Sequence, residues 1–155
     1  MGDVQFKMKD ISKLIQKDEL DKLAGQILLL VLQNTAAGIA STSSTQRRYE
    51  KYKDKTKYPA KLKPSRPVNL RLTGKMLDSL EANVSTDKDG AHIYLNFKDA
   101  DQAAKYTTHH NGLRGVPQRQ ILPYKRGEKF SKVVEKEILK GFDKLVSKSL
   151  KKFNA

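Results

Sequence analysis

The sequence contains no cysteine. That single absence removes disulfides, thiolate nucleophiles and cysteine-ligated zinc together, so stability has to come from packing and from neighbouring subunits. Long hydrophobic runs are missing too: the longest, Ile27 to Leu32, is far too short to span a bilayer. Met1 to Asp10 lacks the apolar core of a signal peptide. These absences predict a protein made in a cytoplasm and kept out of membranes. Hydrophobic residues are 37% of the chain, below the usual globular share. That suffices for one packed core, with part of the chain outside it or buried only on assembly. Acids are scarce beside bases, 17 Asp and Glu against 31 Lys and Arg, for a net charge of +14. Such a balance implies acidic partners, which could be DNA, a membrane surface or an acidic protein face, the membrane being disfavoured by the short apolar runs.

The length of 155 residues fits one domain, 1–155, because two would each have a small core. Asp18 is a candidate helix N-cap, with Glu19 and Asp21 in the first turn, where the helix dipole favours acids. Leu20, Leu23, Ala24, Ile27, Leu28, Leu30 and Val31 then recur at near-helical spacing. Leu72 to Leu80 reads as a short helix capped near Thr73. Ala82 to Thr86 and Ala91 to Phe97 flank an Asp-Gly step and read as a hairpin, with Ile93, Leu95 and Phe97 on one face. Ala100 to Thr107 forms a helical turn leading into His109-His110-Asn111-Gly112, and Val116 to Tyr124 is extended. After Gly127, Phe130, Val133, Val134, Ile138, Phe142, Leu145, Val146, Leu150 and Phe153 mark a long amphipathic helix. The predicted class is α+β: a small antiparallel sheet packed with a long N-terminal and a long C-terminal helix.

Between these elements the periodicity disappears from Ser41 to Pro67. Pro59, Pro64 and Pro67 exclude a regular helix or central strand. From Gln46 to Lys75 eleven Lys or Arg face only Glu50 and Asp54. Residues 42–67 are therefore expected to be an extended basic arm or loop. Tyr49, Tyr52 and Tyr58 are interleaved with its bases, a composition suited to a subunit interface, to a nucleic-acid backbone or to a solvated linker.

Chemistry-bearing patterns are weak. His109 and His110, taken as extended backbone, would point to opposite sides and could not share a metal. His92 lies in the hairpin and would leave any ligand set short. Ser79 and Ser85 lack a nucleophile-elbow context. Gly112, Gly115 and Gly127 precede no Gly-Lys-Ser/Thr of a phosphate loop. No catalytic, cofactor-binding or metal-ligating residue is assigned, and the expectation is a protein that is not an enzyme.

Three motifs appear in order in the second half. Leu72-Thr73-Gly74-Lys75-Met76-Leu77-Asp78-Ser79-Leu80 resembles the "TG-x-L-x-x-S" helix start of phage neck and tail-completion proteins. His109-His110-Asn111-Gly112-Leu113 looks like the "H-x-x-G" turn of the phage virion-morphogenesis family. Val116-Pro117-Gln118-Arg119-Gln120-Ile121-Leu122 is similar to that family's "I-P-x-R-x-F-L" segment, although Gln120 replaces a frequent proline. The resemblance covers about Leu72 to Phe153.

The resemblance implies a structural virion protein at the head–tail junction, or neck, of a tailed phage, assembled in the host cytoplasm. Its partners would be further copies of itself in a ring, portal-side connector proteins and tail-tube proteins. Non-specific contact with genomic DNA in the channel is allowed by the charge. Thr73 would cap a helix, and Gly74 and Gly112 would permit tight turns. Pro117, Arg119, Ile121 and Leu122 would hold an extended segment on the core, with Arg119 free to pair across a subunit boundary. Arg47, Arg48, Tyr49, Tyr52 and Tyr58 are the remaining interface candidates. The alternative is a basic nucleic-acid-binding module without sequence-specific reading.

Overall fold

The computed structural model describes residues 15–42, 48–49, 74–87, 90–114, 118–123 and 128–155. The first helix, α1, spans Lys17–Ala36, with Asp18 and Glu19 in its first turn. Its N-cap is Gln16, whose side chain makes no capping bond, so Asp18 acts through the dipole and not as the cap. Leu20, Leu23, Ala24, Ile27 and Val31 are buried on one side, as the spacing predicts. Gly38 ends the helix with φ 71°, donating to Thr35 O at 3.0 Å while Ile39 N reaches Asn34 O at 2.9 Å. These paired bonds satisfy carbonyls that the last turn would leave open.

A single turn, α2 (Lys75–Asp78), leads into a hairpin of β1 (Leu80–Asp87) and β2 (Gly90–Phe97). The strands are antiparallel, in register from Leu80↔Phe97 to Asp87↔Gly90. Leu80, Ala82 and Val84 share a face with Ala91, Ile93, Leu95 and Phe97, and this face packs against α1. The opposite face is polar: Asn83 Nδ2 donates to Asn96 Oδ1 at 3.0 Å, and Asn96 Nδ2 to Glu81 Oε1 at 3.3 Å.

The α3 helix (Ala100–Asn111) is longer than the expected Ala100–Thr107 turn. Asp99 caps it, accepting from Asp101 N at 2.8 Å. Thr107 and Thr108 lie within it, and their hydroxyls donate back to the carbonyls of Ala103 and Ala104, at 3.0 and 3.2 Å. The last helix, α4 (Lys132–Phe153), is capped by Ser131, whose hydroxyl accepts from Val134 N at 3.4 Å. Val134 and Ile138 are buried, but Val133 and Leu150 are 51% and 44% exposed, so the apolar stripe is narrower than expected. Phe130 precedes the helix and enters the core from the connecting segment. Among the described residues no helix is long and apolar enough to cross a membrane.

The α1 and α4 helices run antiparallel. A Cβ added at Gly141 would lie 2.9 Å from Leu23 Cδ1, and Glu19, near the start of α1, meets Lys148 and Lys152 near the end of α4. Glu19 lies 3.1 Å from Lys148 Nζ and 3.5 Å from Lys152 Nζ. The Lys148 hydrogen bond, with help from Lys152, holds the Glu19 carboxyl below its ordinary value of 4.5. A depressed carboxylate stabilises the fold above that ordinary value, and the contribution fades as pH falls through the depressed one. Urea midpoints of the wild type and Glu19→Gln should therefore differ at neutral pH and converge in acid. A gap that does not change with pH would count against this helix clamp. On the same helix, Gly25 has exposed surroundings and a Cβ there would meet nothing within 4 Å. Gly25→Ala should raise unfolding free energy by about 0.5–1 kcal/mol, read from urea unfolding.

Candidate functional site

The two histidines occupy the last turn of α3, not extended backbone. Residues adjacent on a helix diverge by about 100°, and the two side chains accordingly differ in burial. His110 is fully buried, whereas His109 is partly exposed. Gly112 follows with φ 65° and ψ 37°, a left-handed conformation that glycine adopts without steric cost. Leu113 N donates to Thr108 O at 3.0 Å and Gly112 N to His109 O at 3.4 Å, which closes the helix. The physical content of the His-x-x-Gly spacing is therefore a helix stop.

Arg119 N donates to the same His109 carbonyl at 2.8 Å, joining the second motif to the third. One turn back along α3, the Tyr106 hydroxyl donates to Leu122 O at 2.6 Å and accepts from Leu122 N at 2.9 Å. It also meets His110 Nδ1 at 3.0 Å, and His110 Nε2 lies 3.0 Å from the Glu128 carboxylate. Ile121 and Leu122 are buried against this network, as the third motif implied. The first motif contributes Gly74, with φ 83°, and buried Met76 and Leu77 on α2, which packs on α3. All three motifs thus meet on one helix.

Arg119 requires a correction. It is 1% exposed, the largest fully buried side chain among those described, so it is not free to pair across a subunit boundary. Its charge lies close enough to His109 to reinforce the lowering of that imidazole, which burial chiefly causes. Tyr49 is corrected likewise. It is 8% exposed and belongs to the core, where burial pushes its phenol up. Its hydroxyl donates to Gln120 O at 3.0 Å, and its N–H to Gly38 O at 2.7 Å. Thr42 Oγ1 donates to Gln120 Oε1 at 2.6 Å, and Ile39 and Arg48 form an antiparallel bridge. Thr42, Arg48 and Tyr49, expected to lie in an arm beginning at residue 42, are thus fastened to the body. Arg48 alone of the described interface candidates is exposed. Arg47, Tyr52, Tyr58, Thr73 and Pro117 lie outside the described residues.

Sequence reasoning missed Tyr106, Glu128, Ser41 and Gln120. Ser41 O accepts from Ser131 N at 2.7 Å, tying the start of α4 to the segment after α1. Only the Asp99 and Gly112 caps bracketing α3 offered a readable signal for part of this arrangement. His92 is buried on the polar face of the hairpin, stacked on Tyr94 at 6.0 Å with Nε2 3.3 Å from Asp87 Oδ2. No group of three or more His, Cys, Asp or Glu that could hold a metal occurs among the described residues. The chain matches no protein-family model, no curated protein and no solved structure.

Proposed function

We propose that this chain is a structural protein of a tailed-phage virion, working without turnover as a ring at the head–tail junction. Identical copies would join head to tail until rotation closes the ring, leaving a channel for DNA between portal-side connector and tail tube. The observation that carries this reading is the meeting of the three ordered motifs on α3, through Arg119 N to His109 O and Tyr106 to Leu122. Their chemistry is that of a scaffold: a helix stop, a buried hydroxyl bracing an extended segment, and apolar anchors.

Two surfaces suit repeated association. Each strand of the hairpin has one edge without a strand partner among the described residues, and open edges invite pairing. Leu29, Val133 and Leu150 present exposed apolar side chains on the two long helices. Gold-labelled antibody against the chain should decorate the neck of tailed particles released from cells that express it. Mature particles that lack the protein would overturn the proposal.

A further inference from the structure

The solvent-facing side of α4 carries a row of lysines that nothing above puts to use. Lys132, Lys136, Lys140, Lys144 and Lys148 recur every fourth residue, and Lys151 falls on the same side. Successive members rise about 6 Å and rotate slowly about the axis, so the row runs roughly 28 Å from Lys132 to Lys151. The helix holds seven lysines against three acids and no arginine. Glu137 lies 4.0 Å from Lys140, and Lys148 is engaged with Glu19. Lys132, Lys136, Lys144 and Lys151 are exposed and have no ion-pair partner among the described residues. Glu135 and Asp143 are the acids that interrupt the row.

We infer that this face of α4 binds the phosphate backbone of double-stranded DNA without reading its sequence. Two features favour a duplex over an acidic protein. Lysine is depleted from protein interfaces, yet every cation of this helix is a lysine. A compact ammonium on a flexible stem suits many equivalent phosphates. The row is also about 28 Å long, a length over which a stiff polyanion with about one charge per 1.7 Å of axis can meet several of its ammonium groups. The inference does not rest on the ring: a free subunit has the same lysine face.

The test is a salt titration of binding by the purified full chain, with duplex DNA, single-stranded DNA and polyglutamate as probes. Duplex should bind most tightly, independently of sequence. The triple variant Lys132→Gln, Lys136→Gln, Lys144→Gln should reduce the slope of log K against log salt by about 2.7, three contacts at about 0.9 each. At about 0.1 M salt its binding should fall on the order of 100-fold. The corresponding triple arginine variant should bind as the wild type does, and Asp143→Asn should bind more tightly. Circular dichroism and unfolding midpoints should match the wild type, and the oligomeric state should not change, which separates this outcome from the fate of the ring. An unchanged slope in the triple glutamine variant would overturn the inference, as would polyglutamate binding more tightly than duplex.

Discussion

Tyr106→Phe should cost about 2–4 kcal/mol of unfolding free energy, because one hydroxyl serves both backbone polar groups of a buried residue. The Leu122 carbonyl and N–H both end on that oxygen, at 2.6 and 2.9 Å, and His110 Nδ1 is a third neighbour at 3.0 Å. Phenylalanine keeps the ring and its packing on Phe97 at 4.9 Å, so the variant isolates the hydrogen bonds from the apolar contact. Folded domains are stable by only about 5–15 kcal/mol, so a loss of this size would be visible in urea unfolding. A change below about 0.5 kcal/mol would mean that Leu122 finds other partners, and that Tyr106 is not the brace between α3 and the 118–123 segment.

Deleting Lys51 to Lys63 should leave a folded protein that no longer forms the proposed ring. The cut is placed after Tyr49 because that side chain is core, bonded to Gln120 and backed by the Gly38 carbonyl. A deletion starting at Thr45 would remove Tyr49 as well and confuse misfolding with failed assembly. Truncating a buried aromatic to alanine costs about 3–5 kcal/mol, so Tyr49→Ala should lower stability by that much. The shorter deletion leaves every described core contact in place. Its unfolding midpoint should match the wild type, and light scattering should report the loss of oligomer. A deletion variant that assembles as well as the wild type would exclude the basic segment from the interface.

Long-period patterns in the sequence carried the architecture. The 3.6-residue recurrence from Leu20 to Val31, the alternation from Ile93 to Phe97 and the stripe through Val134 and Ile138 each became the expected element. Each arises from one face meeting one core, which a linear pattern records. The α3 helix runs beyond the turn that the sequence predicts; Thr107, Thr108, His109 and His110 are poor helix formers in isolation. Tertiary burial of Tyr106 and His110, with caps at Asp99 and Gly112, overrides that propensity. Val133 and Leu150 show the reverse error: a residue can share the helical period and still lie outside the arc that a neighbour covers.

The site was the least legible part. Arginine is seldom buried, so nothing local in the sequence distinguishes Arg119 from a surface residue. Tyr49 sits in a lysine-rich context that suggests solvent, and its burial depends on Gly38 and Gln120, distant in the chain. Motif spacing marked where the backbone must turn or stop, at Gly74 and Gly112, because those demands are local. It carried no information on which side chains would close over the segment.

Electron microscopy of the purified full chain, combined with its native mass, examines the proposed ring most directly. One discrete multiple of 17.5 kDa, imaged as a closed circle around an open centre, is the expected result. Solitary 17.5 kDa molecules at every concentration would contradict it.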